Sequence, residues 1–267
     1  MALFKSIVNF LYKVWDEIIV NNPTPPVPAP VESDTAKIDN LSALMLQTNA
    51  PYVEYYPKGG DVINAEIHTI SASAALSEAK LIVSNSEANN LDYVYLASCI
   101  FQESKFDPAC FNHNLTEYNG VESFDGTDWG MCQMSGYYLP TRPGMAGLTQ
   151  AQMQIKAMTA EWAVPVMAEI MADNLADAIT DMPSVSSIMP QLNTTELSNE
   201  EFLATLYYNR GRSGGLEAVK SLDYANMQHP FMVAKWFAQF KTALETGQPV
   251  ASHVMLKHEA FAPHIRR

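Results

Sequence analysis

The apolar positions of "LFKSIVNFLYKVWDEIIV", residues 3–20, recur every three or four residues. Leu3, Phe4, Ile7, Val8, Leu11, Val14, Trp15, Ile18 and Ile19 share one helical stripe, and Lys5, Asn9, Lys13, Asp16 and Glu17 lie off it. The Pro-rich stretch "NNPTPPVPAP" follows and predicts an extended, semi-rigid arm. An amphipathic helix on such a spacer reads as an anchor for a partner protein, a second copy or a membrane surface. The alternative is a helix folded back on its own domain.

Residues 35–90 read as helical, interrupted by the loop "PYVEYYPKGGD". "YVEYY" is the one stretch there with strand-like character, and "DVINAEIHTISASAALSEAKLIVSNSE" reads as one or two helices. "LDYVYLASCIF" is apolar on nearly every face, which predicts a helix central to its domain. Residues 105–128 are loop-like, rich in Asn, Asp and Gly, and "WGMCQMSGYYL" is a short helix or turn. Thr149 with Gln152, and Ser198 with Glu201, are capping-box pairs that start later helices. The first of these is expected to kink near Pro165. A last helix runs from Pro230 to a stop at Gly247. The fold class is therefore all-α with at most a small β-hairpin. Its expected parts are an anchor helix (1–20), a Pro-rich linker (21–34), a helical lead-in (35–71), a catalytic domain (72–247) and a tail (248–267).

Composition narrows the function classes. The chain has 267 residues, 48% of them hydrophobic, enough for one good-sized core with appendages. Its formal charge of −13 lacks the basic footprint of a nucleic-acid binder. Three cysteines, Cys99, Cys110 and Cys132, form no disulfide framework. With His113 they lie close together in sequence, but no C-x-x-C or H-x-x-x-H spacing makes a metal site of them. No metal or cofactor is expected. The N-terminal apolar run is broken by Lys13, Asp16 and Glu17, so no secretory signal is read there.

The chemistry starts at Glu103, where the apolar helix ends. Partial burial and the negative end of the helix dipole both disfavour a carboxylate there, so the sequence predicts a glutamate that holds its proton. A protonated glutamate is what general-acid cleavage of a glycoside requires. The bland alternative is an inert helix-end glutamate bound to Lys105 or to loop amides.

Three blocks decide between them. They are Glu103-Ser104-Lys105-Phe106-Asp107-Pro108, then Gly130-Met131-Cys132-Gln133, then Tyr207-Tyr208-Asn209-Arg210-Gly211. In this order, over residues 72–222, they resemble the soluble lytic transglycosylase catalytic domain, which shares the goose-type lysozyme fold. The resemblance implies Glu103 as the single catalytic residue, with Ser104, Gly130, Met131, Gln133, Tyr208 and Asn209 around the substrate. Cys132 stands where the family has methionine, and Arg210 where it has a small residue. The implied reaction cuts the β-1,4 bond between N-acetylmuramic acid and N-acetylglucosamine in peptidoglycan and leaves 1,6-anhydromuramic ends.

A hydrolytic lysozyme of the same fold needs a second carboxylate, for which Asp125 and Asp128 are the candidates. Ser135 follows the second block where goose-type lysozymes carry an acid. A third reading keeps the fold for a structural or sugar-binding role, with Arg210 closing the cleft. Peptidoglycan lies outside the bacterial cytoplasm, and the missing signal points to a bacteriophage virion protein. Residues 3–20 would then hold it to other virion proteins or to a membrane.

Overall fold

The computed structural model describes residues 33–49, 52–58, 61–113, 127–192 and 196–250. The expected anchor helix and nearly all of the Pro-rich arm lie outside them, as does the tail beyond residue 250. The described residues from Asp34 to Val250 belong to one compact unit.

That unit is mainly helical, as expected, with one small antiparallel sheet. Helix α1 (Asp34–Thr48) leads into strands β1 (Tyr52–Lys58) and β2 (Asp61–Ile67), and helices α2 (Ala72–Ala88) and α3 (Tyr93–Ser104) follow. Short strands β3 (Phe111–His113), β4 (Thr127–Trp129) and β5 (Met134–Ser135) extend the hairpin in the order β1-β2-β3-β4-β5. Helices α4 (Gln150–Ala157), α5 (Ala160–Asp181), α6 (Asn199–Lys220) and α7 (Gln228–Thr246) complete the unit.

Two expectations are corrected here. Asp61–Ile67 is a strand, not the start of a helix, and pairs with β1 in a register that sets Tyr52 opposite Ile67 and Lys58 opposite Asp61. Val62, Ile63 and Ile67 are β-branched residues that suit a pleated sheet. Gly59 and Gly60, which follow β1 in the sequence, are the pair a tight hairpin favours. The long helical stretch after residue 148 does not break at Pro165 but at Met158 and Thr159, and Pro165 lies within α5. Pro165 sits in the second turn of α5, where it removes one helical hydrogen bond, to the Glu161 carbonyl, without ending the helix.

The local stop and start signals act as read. Thr149 and Ser198 each close a reciprocal capping box with Gln152 and Glu201. Gly247 takes φ 67° at the end of α7 and donates its N–H to Ala243.

The main core gathers α1, α2, α3, α5 and α7. Leu41 and Met45 of α1 are buried with Ile82, Leu96, Ile100, Met171, Trp236 and Phe240. The lead-in helix thus shares a core with the expected catalytic stretch. A second cluster of buried residues, including Val185, Met189, Phe202, Leu206 and Met227, lies where α5 and α6 meet.

Candidate active site

Helix α3 is buried along almost its whole length, from Val94 through Phe101, and its N-terminus is capped by Asp92. Its end is abrupt. Lys105 and Phe106 both adopt left-handed backbone, at φ 56° and 66°. Two successive non-glycine residues in that region are strained, so the surroundings must impose the turn.

They do so with a dense set of bonds. Asn49 donates to the carbonyls of Lys105 (2.9 Å) and His68 (3.1 Å) and accepts from the N–H of Ile70. The buried Asp107 carboxylate accepts from the His68 N–H at 2.8 Å, lies 2.7 Å from His68 Nδ1, and takes the Ala109 N–H on its other oxygen. Beneath the turn, the Phe101 ring packs on Phe106, Trp236 and Phe240 with centroids 4.9–5.2 Å apart.

Glu103 rides the last turn of α3, with only 14% of its side chain exposed. Its Oε1 lies 2.7 Å from Nε2 of His229, itself 13% exposed, in the first turn of α7. The neighbouring Gln102 accepts a 2.8 Å hydrogen bond from the Trp236 indole, also on α7. One helix thus grips two adjacent side chains of the turn. Glu103 Oε2 takes no hydrogen bond from a described residue.

The expected bare helix dipole is altered. Lys105 turns its ammonium back onto the carbonyls of Phe101 (3.0 Å) and Gln102 (3.4 Å), so a cation sits at the negative end of α3.

The second block is a tight turn between β4 and β5. Gly130 has φ 75°, and a Cβ there would lie 2.1 Å from the Ala157 carbonyl oxygen, so α4 touches the backbone at a point only glycine allows. Gln133 is also left-handed, at φ 46°, and its amide donates to Gly130 (2.8 Å) and Cys110 (3.3 Å) carbonyls. Ser104 and Met131 are buried, and the Ser104 hydroxyl donates to Ile100 of its own helix. These two of the expected substrate contacts lie beneath the site.

The third block arrives on α6. Tyr208 donates its hydroxyl to the Cys132 carbonyl at 2.5 Å and does not hydrogen-bond Glu103. Burial holds its phenol neutral well above the ordinary range. Cys132 and Cys99 are pushed up likewise, first by burial and then by Glu103. Asn209 and Arg210 are exposed, and Arg210 forms no ion pair with a described residue. At Gly211 the backbone leaves the helix, with φ 69° and ψ 160°, so α6 is two helices joined at that residue. Tyr207 turns away from the site and donates to Asp181, which also receives Arg212.

Of the candidate second carboxylates, Asp128 lies on β4 opposite Ser135, and its charge reaches Tyr208. Asp125 lies outside the described residues. Among the described residues, no three His, Cys, Asp or Glu side chains converge to hold a metal ion. No helix among them is long and apolar enough to cross a membrane.

Sequence reasoning missed His229. It precedes Pro230 at a helix start and stands 126 positions from Glu103, so no local pattern joins the two. No protein-family model, no curated protein and no solved structure matches this chain.

Proposed function

We propose that the chain cleaves peptidoglycan glycan strands as a lytic transglycosylase, with Glu103 as the only acid and base. The observation that supports the reading is the packing of the three sequence blocks into one core cluster. The Tyr208 hydroxyl of the third block donates to the Cys132 carbonyl of the second, and both residues pack in the cluster that holds α3, the helix whose last turn carries Glu103. Blocks separated by tens of residues have no structural need to pack beside a helix that ends in a largely buried glutamate.

Glu103 protonates the bridging oxygen as the C1–O bond breaks and positive charge builds on the sugar ring. The resulting carboxylate then takes the proton of the muramic 6-hydroxyl, whose oxygen closes on C1. The product is a 1,6-anhydro ring, and no water is consumed. Gln133 and the exposed Asn209 are the amide side chains this reading assigns to the N-acetyl substituents. We assign the protein to a virion that delivers it to the host wall, with residues 3–20 as the attachment.

A hydrolytic outcome would need a second carboxylate, and Asp128, on β4 opposite Ser135, is the described candidate. Digestion of purified glycan by wild type and Glu103→Gln, read by mass spectrometry, separates the two. Products one water lighter than reducing ends, lost in Glu103→Gln by about 10²–10⁴-fold, support the transglycosylase. Ordinary reducing ends move the assignment to a lysozyme that uses Asp128 or Asp125. A folded wild type that cuts nothing overturns both.

A further inference from the structure

The Glu103–His229 pair goes beyond the one-carboxylate mechanism, although it rests on that reading of the site. We infer that His229 is a positioning residue for the reaction, donating Nε2–H to Glu103 Oε1 so that the transferable proton resides on Oε2.

Three observations support this. The Nε2 to Oε1 distance is 2.7 Å, with both side chains about seven-eighths buried. The other ring nitrogen, Nδ1, is fully buried and has no hydrogen-bond partner among the described residues. The second carboxyl oxygen takes no hydrogen bond from a described residue.

The buried Nδ1 selects the tautomer. A proton there would make an orphaned buried N–H, which is rarer and costlier than an unused lone pair. Neutral His229 therefore carries its proton on Nε2, where Glu103 accepts it. With Oε1 occupied in this way, a proton on the carboxyl group goes to Oε2.

The hydrogen bond then acts on the barrier. In the ground state Oε1 belongs to a neutral carboxylic acid and is a modest acceptor. As the Oε2–H bond breaks and the proton moves to the glycosidic oxygen, negative charge spreads over both oxygens. The Nε2–H bond to Oε1 becomes charge-assisted and strengthens. An interaction stronger in the transition state than before it lowers the barrier. In the second half, Oε2 recovers its proton from the 6-hydroxyl and the bond relaxes. His229 gains and loses no proton in the cycle.

The other titratable groups facing Glu103 leave this role to His229. Cys99 on its own helix, Cys132 from the β4–β5 turn and Tyr208 from α6 are all held neutral by burial.

The test compares wild type, His229→Gln and His229→Phe on purified glycan across pH, with thermal melts to verify folding. The glutamine keeps an N–H donor without titrating, and the phenylalanine fills the space without one. The expected result is a kcat loss of about 10- to 100-fold in His229→Phe at little change in KM. His229→Gln recovers most of that loss. A folded His229→Phe that keeps wild-type kcat and pH profile overturns the inference and leaves the proposed function standing. A folded wild type that cuts no glycan overturns the proposed function, and the inference falls with it.

Discussion

Glu78 shows how one buried side chain shapes stability. It lies on α2, 4% exposed, and its Oε2 has no hydrogen-bond partner. Burial, with Asp107 and Glu161 nearby, pushes its pKa up from the ordinary 4.5 to about 8. Below pH 4.5 the folded and unfolded chains both hold this proton. Between 4.5 and about 8 only the folded chain holds it, so stability falls as pH rises through that window. At about 1.4 kcal/mol per pH unit, the loss by pH 7 is on the order of 3 kcal/mol. Glu78→Gln is expected to recover it, and urea unfolding at pH 5 and pH 8 measures the slope. An equal slope in the mutant would assign the pH dependence elsewhere. Gly130→Ala is a harsher change at the same scale. The 2.1 Å approach to the Ala157 carbonyl leaves no room for a methyl group, and positive φ adds strain. A loss of at least about 3 kcal/mol is expected, read from the denaturation midpoint. Gly211→Ala meets open space, so only its backbone conformation is penalised, at about 1–3 kcal/mol.

Among the elements, the legible signals were those written within a few residues. Both capping boxes and the Gly247 stop follow from backbone groups that one nearby side chain or one left-handed residue satisfies. Ser198→Ala is expected to cost about 1 kcal/mol and to fray the start of α6, seen as faster amide exchange there. Strand β2 was illegible because "DVINAEI" carries helix-forming Ala and Glu, and its partner β1 decides its state across the hairpin. The site was legible to the extent that its chemistry is written in contiguous blocks. Glu103, Gln133 and Tyr208 could be singled out that way. His229, Asn49 and Trp236 could not, because each is joined to the site through folding alone. Trp236→Phe tests that joining. It keeps an aromatic ring against Phe101 and removes only the indole donor to Gln102. A destabilisation of about 1–3 kcal/mol by urea titration is expected, because Gln102 is left unsatisfied in a partly buried setting.

For the molecule as a whole, the three cysteines report on opening of the fold. Cys99, Cys110 and Cys132 are all free and buried. Burial holds the thiols of Cys99 and Cys132 far above their ordinary range, so little thiolate is present to react. The native protein is expected to show no rapid reaction with a thiol reagent, and the denatured chain to show three groups. A fast-reacting thiol in the native state would mean that the core around the β4–β5 turn opens locally. The grip of α7 on the Glu103 turn has a further meaning on the ribosome. Gln102 and Glu103 are made early and wait for His229 and Trp236, more than a hundred positions downstream. Until synthesis has passed Trp236 and that last helix can dock, the nascent chain carries its acid unassembled. The pairing of Glu103 with His229 is thus a late event of synthesis, fixed by the order in which the residues appear.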